Sequence, residues 1–203
     1  MNILVLGGKQ AFGPGHPPGS GYVAQLARRV RARGQAVALD HYPVSLPEAI
    51  RLIPRLRLAA YDLILLQFDP PLETVPASAP ARLALRLKLR VWGQRLGVWR
   101  AFGQQLATVL VQVRAVRHQV VLLTPLPHRR GLEQQMGQLA QQRVYAPQSN
   151  DCQIFLFDVG QHLTGGEETF QVSSSHLLSA VAHEVLGSEL HTFITQPTYT
   201  LWL

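Results

Sequence analysis

Short apolar runs recur along the chain: Ile3-Leu4-Val5-Leu6, Val37-Ala38-Leu39, Leu63-Ile64-Leu65-Leu66, Val120-Val121-Leu122-Leu123 and Ile154-Phe155-Leu156-Phe157. Most are closed by a turn signal, such as Gly7-Gly8, Asp69-Pro70-Pro71 or Thr124-Pro125. Continuous apolar runs of this length, bounded by turns, predict strands buried on both faces. Between them the period changes. Val23, Leu26, Ala27 and Val30 recur at spacings of three and four, with Arg28, Arg29 and Arg31 on the other side, which predicts an amphipathic helix ended near Gly34. Further helices are expected over 47–59, 102–116, 131–143 and 177–186. Pro54 should kink or split the first of these. From Arg82 to Val91 apolar and basic residues alternate strictly, yet Leu, Arg, Lys and Ala all favour helix, and helix is the expectation there. Strands of this kind alternating with helices predict an α/β fold of three layers, with a flavodoxin-like, five-stranded parallel sheet.

Composition narrows the class. The 203 residues are 47% hydrophobic, enough for one domain with a real core, and no repeat or linker divides them. The expectation is therefore a single domain over 1–203, with 72–101 set apart as a basic, amphipathic insertion. No apolar run approaches the roughly 18–20 residues of a membrane helix. The amino terminus shows no basic stretch followed by an apolar one and a cleavage site, so cytoplasmic residence is expected. Cys152 is the single cysteine, which excludes an internal disulfide. The net charge is +7, and it is unevenly spread. No acidic residue lies between Glu73 and Glu133, while Arg82, Arg86, Lys88, Arg90, Arg95 and Arg100 crowd the first part of that interval. Such a field attracts an acidic partner, a small anion or an anionic membrane surface.

The order of segments resembles the SGNH, or GDSL-like, hydrolase family along nearly the whole chain. That family opens with a strand running into Gly-Asp-Ser, and the corresponding stretch here is Leu6-Gly7-Gly8-Lys9. Its second block, a strand leading to an oxyanion-hole glycine, resembles Leu39-Asp40-His41-Tyr42-Pro43-Val44-Ser45. Its third, a strand then Gly-x-Asn-Asp, resembles Leu65-Leu66-Gln67-Phe68-Asp69-Pro70-Pro71. A later strand ending in Thr-Pro-x-Pro looks like Leu123-Thr124-Pro125-Leu126-Pro127. The last block, Asp-x-x-His followed by a helix, looks like Ser173-Ser174-Ser175-His176.

The resemblance implies ester hydrolysis by a serine nucleophile, a histidine base and an orienting aspartate. The residues that would do it have been replaced. Lys9 stands in the nucleophile's place, and an ammonium group has no easy route to an acyl-enzyme. Ser173 stands where the aspartate would hold His176. Pro43 and Pro71, which lack an N–H, flank the places of the oxyanion donors. Triad members act as a unit, so their joint loss implies a protein that binds rather than hydrolyses. Its binding residues would be Gly8, Lys9, Asp69 and Ser173, with His176 a remnant base. Another reading is an active esterase or acyltransferase with a different nucleophile, such as Ser20 or Ser45. A third is an anion- or membrane-surface-binding protein acting through the basic segment 82–100, where Trp92 and Trp99 sit among arginines.

Other motifs stop short. The stretch from Gly13 to Gly21 is glycine-rich but does not match the phosphate-loop pattern, and its prolines remove donors. His183-Glu184 opens like His-Glu-x-x-His, but position 187 is glycine. Ser173, Ser174 and Ser175 are expected to cap the last helix. No metal site, no cofactor and no specific nucleic-acid motif is expected.

Overall fold

The computed structural model describes residues 1–13, 15–68, 92–114, 119–124, 154–163 and 178–195, without the side chains of 9–10 and 92–99. Five strands form one parallel sheet in the order β2-β1-β3-β4-β5. They are β1 (Asn2–Gly7), β2 (Ala38–Tyr42), β3 (Leu63–Gln67), β4 (Gln119–Leu123) and β5 (Ile154–Phe157). The register sets Leu4 beside Ile64, Ile64 beside Val120, and Val120 beside Ile154.

Alternation sorts the apolar side chains between two cores. Ile3, Val5, Leu63, Leu65, Val121, Leu123 and Phe157 pack under helices α1 (Tyr22–Ala32) and α5 (Ala180–Ile194). Leu4, Leu6, Ile64, Leu66, Val120, Leu122 and Ile154 pack under α2 (Leu46–Leu52) and α3 (Trp92–Arg114). This is the three-layer α/β arrangement that the apolar runs predict. Four of the five strands match their runs to within a residue at each end. The exception is β2, which begins one residue later than expected and continues to Tyr42, because it pairs with β1 from Asn2↔Ala38 to Leu6↔Tyr42. It is an edge strand with no fully buried residue, so its apolar pattern is weak.

The helices differ more from expectation. The helix foreseen over 47–59 stops at Leu52, and two short 3-10 turns follow, Ile53–Arg55 and Leu58–Ala60. Pro54 is the cause. It has no N–H to offer the Ile50 carbonyl four residues back. The Gln112 side-chain amide of α3 donates to that carbonyl instead, at 3.3 Å. Helix α3 begins at Trp92, ten residues before the expected start. Helix α5 begins at Ala180 rather than 177, and its cap is Ser179, whose hydroxyl accepts from the Ala182 amide at 3.1 Å. Ser173, Ser174 and Ser175 are therefore not its caps. The helix also runs past Leu186 to Ile194. The expected helix over 131–143 and the segment 82–91 lie outside the described residues. Gly34 fills its expected role: at φ +82° its N–H closes the end of α1 on the Arg31 carbonyl. No helix among the described residues is long and apolar enough to cross a membrane.

Gly187 explains why α5 does not end where the sequence breaks. Helices α1 and α5 cross at this glycine. A Cβ there would lie 2.5 Å from the Gln25 Cβ and 2.9 Å from the Tyr22 carbonyl oxygen. Gly187→Ala is therefore expected to destabilise the protein by about 1–3 kcal/mol, the usual cost of overpacking. Chemical denaturation would register this as a lower midpoint. An unchanged midpoint would mean that the two helices separate at no cost.

Candidate functional site

The strand order reverses between β1 and β3, and ligands of open α/β sheets bind at the carboxyl ends of the strands beside such a reversal. The local chain is tight there. Gly7 has φ +141°, and a Cβ on it would fall 1.7 Å from the Gln67 carbonyl oxygen. No other residue permits β1 and β3 to end so close together. Gly8 follows, its N–H donating to the same carbonyl at 2.9 Å. Lys9 then opens a 3-10 turn, Lys9–Phe12. The backbone thus brings Gly8 and Lys9 to the mouth of the sheet. Asp69, Ser173 and His176 lie outside the described residues. So do Arg82, Arg86, Lys88 and Arg90, and Pro71 of the third block. Arg95 is part of α3, and Arg100 on the same helix is exposed.

The serines weighed as substitute nucleophiles have local structural roles. Ser45 caps α2: its N–H and its hydroxyl both donate to the Glu48 carboxylate, at 2.8 and 2.7 Å. These two bonds hold the Glu48 carboxyl below its ordinary range, which makes it a poor base. The Ser20 hydroxyl donates to the Pro17 carbonyl at 2.6 Å. Thr124, at the end of β4, latches the start of α4 (Val159–His162). Its hydroxyl donates to Asp158 Oδ1 at 3.2 Å and accepts the Val159 N–H at 2.9 Å.

A cluster that the sequence reading did not assemble lies just beneath the mouth, in the α1–α5 layer. The Tyr22 hydroxyl donates to Gln67 Oε1 at 2.5 Å, joining the start of α1 to the end of β3. The Tyr22 N–H donates to His183 Nδ1 of α5 at 3.3 Å, and the two rings stack with centroids 6.2 Å apart. The His16 ring stands edge-on to His183 at 5.5 Å, with its Nε2 2.8 Å from the Leu178 carbonyl oxygen. A carbonyl only accepts, so His16 carries its proton on Nε2. Likewise His183 accepts at Nδ1 and so carries its proton on Nε2, which has no partner among the described residues. Gln67 Nε2 is also without one. Gln67 and His183 are both fully enclosed, at 1% and 0% exposure. The sequence does mark Gln67, a polar residue closing an apolar strand at its ligand-binding end. His183 stands out in the sequence only as the start of an incomplete metal motif. Among the described residues no group of His, Cys, Asp or Glu is placed to hold a metal.

Burial lowers the His183 pKa to about 4, assisted by the His16 ring beside it. His41, stacked on half-exposed Phe12 at 3.8 Å, is lowered to about 4 by burial as well.

No protein-family model and no curated protein matches the sequence. Solved structures do match the fold. A lipase from a goat rumen metagenome aligns over 98% of this chain and 99% of its own, with a TM-score of 0.71 at 14% identity. An acetylxylan esterase from Geobacillus stearothermophilus aligns over 97% and 95%, with 0.64 at 12%. A lipolytic protein of the G-D-S-L family from Desulfitobacterium hafniense aligns over 94% and 98%, with 0.65 at 10%. The chain therefore has the SGNH-hydrolase fold.

Two predictions follow from the cluster. Above about pH 6.5 His183 is neutral in the folded and the unfolded chain. As the pH falls towards 4, the unfolded chain takes up a proton that the folded chain refuses. Stability should fall through that window, by about 3 kcal/mol from His183 alone. In His183→Asn, whose Oδ1 can accept the Tyr22 N–H, the decline between pH 6.5 and 4 should be shallower, His41 keeping its share. Identical pH profiles of the unfolding midpoint would assign the effect elsewhere.

Tyr22→Phe strands the buried Gln67 side chain and should cost about 1–3 kcal/mol. Adding Gln67→Leu should recover part of that loss. A double variant no more stable than the single would mean the stranded amide was not its source.

Proposed function

We propose that this chain is a non-hydrolysing member of the SGNH fold that binds a small anionic ligand at the carboxyl end of its sheet. One observation carries the reading. Where β1 delivers the chain to the mouth, the residues are Gly8, Lys9, Gln10, Ala11 and Phe12, without a hydroxyl among them. The relevant backbone is held there by the Gly7–Gln67 approach, so the register leaves little freedom for a neighbouring residue to take the position.

Three further features support it. Ser20, Ser45 and Thr124 donate to a carbonyl or a carboxylate and not to an imidazole, whereas an activated nucleophile needs a base. The first turn of α1 has no acidic residue and Gly21 offers no side-chain cap; the Tyr22 N–H is taken by neutral His183, so a partial positive charge remains beside the mouth. Lys9 adds a full one in sequence. The lipases and esterases are similar to this chain in fold; the chemistry done at its mouth depends on its own residues.

Purified protein is expected to give no turnover of aryl acetate esters and no labelling by a fluorophosphonate. Labelling that disappears in Ser20→Ala or Ser45→Ala would replace this reading with an active esterase.

A further inference from the structure

Three large apolar side chains are exposed among the described residues, Phe12, Val111 and Val181. Phe12 is the aromatic one, and it closes the turn that begins at the mouth. Its ring is held in place by a stack on His41 of β2, with centroids 3.8 Å apart and planes 19° from parallel. One face is therefore covered, yet the ring remains 47% exposed. The arrangement does little for stability. An exposed ring forfeits part of its burial free energy. The His41 Nε2 is enclosed without a hydrogen-bond partner among the described residues, which is a further cost. Local costs of this kind, in a fold that is otherwise consistent, fall at functional sites.

The backbone sets this ring beside the positive groups of the mouth. Lys9 opens the 3-10 turn that Phe12 closes. Positions three apart in such a turn share a side and lie about 6 Å from one another along its axis. The start of α1 is also close. A Cβ on Gly21, which precedes α1, would fall 2.6 Å from the Phe12 Cα and 2.3 Å from its carbonyl carbon, so glycine is what lets the chain fold back this tightly. Burial lowers the His41 pKa to about 4, so the stack itself is uncharged at neutral pH. A flat apolar face and a source of positive charge thus lie within the length of one small molecule.

We propose that the anion bound at the mouth carries a planar aromatic ring, which lies on the outer face of Phe12. The inference rests on the anion-binding reading above and narrows it. The ~6 Å between positions 9 and 12 suits an aryl carboxylate, with its charge on or next to the ring. Stacking on a ring already fixed in place is worth a factor of about two to ten in affinity.

Naphthoate, titrated calorimetrically to millimolar concentration into the full chain at neutral pH, tests it. Saturable one-to-one binding is expected. Phe12→Leu keeps an apolar side chain but removes the ring, and should weaken binding about fivefold. Phe12→Tyr should leave it unchanged. Decahydronaphthoate, which is saturated and not flat, should bind the native chain about as weakly as naphthoate binds Phe12→Leu. Lys9→Ala should weaken both carboxylates. Thermal melts establish that each variant is folded. Equal affinity for the two carboxylates, unaltered in Phe12→Leu but reduced in Lys9→Ala, overturns the aromatic assignment and leaves the anion reading standing. Uncharged naphthamide binding as tightly as naphthoate overturns both. Absence of saturable naphthoate binding overturns the proposal, and the anion reading fails with it only if inorganic phosphate and sulfate also fail to bind.

Discussion

Two strands with water on neither face cannot leave a peptide group unpaired, and β1 and β3 are in that position along their whole shared length. Ile3 to Leu6 and Leu63 to Leu66 are all at 0% exposure. An unsatisfied amide or carbonyl there costs several times what a surface group would. The ladder must therefore run to the last residue of each strand. At that last residue it meets a steric limit, which glycine alone meets, and the chain is released into the mouth at a fixed point. Everything attributed to the mouth depends on this release point, including which residue stands first beyond the sheet.

Much of the sheet was legible in the sequence, because burial on both faces forces a run of apolar residues that no other local structure explains so simply. β5 coincides with its run, Ile154–Phe157. β2 was half legible, since an edge strand admits Asp40 and His41 among its residues. The helices were harder, for two identifiable reasons. Pro54 predicts a kink or a split, but how the Ile50 carbonyl it leaves unmatched is satisfied depends on Gln112, 62 residues away. Gly187 reads as a stop signal locally, and only the crossing helix turns it into a point of close packing. Local patterns report local preferences; both of these outcomes are decided by a tertiary partner.

The polar cluster shows the same limit at the site. That Lys9 lies just beyond the first strand is readable from the apolar run before it. Tyr22, Gln67, His183 and His16 come from a helix start, a strand end, a second helix and a glycine-rich loop, so no spacing in the chain unites them. Together they place two enclosed donors, Gln67 Nε2 and His183 Nε2, that have no acceptor among the described residues. Such groups are costly, and His183, whose protonation burial opposes, ties the stability of this region to pH. The fold is thus stable by its sheet and conditional at its mouth.

β2 bears on how this chain meets other copies of itself. A strand at the border of a sheet presents a row of unsatisfied peptide groups that a stranger's strand can zip onto. Asp40 is exposed near the middle of that border, and the Tyr61 hydroxyl holds its carboxylate at 2.7 Å. An incoming strand would have to strip water from a tethered negative charge. The border is in this way guarded against fibre-like growth, and the guard occupies a strand that contributes least to the core.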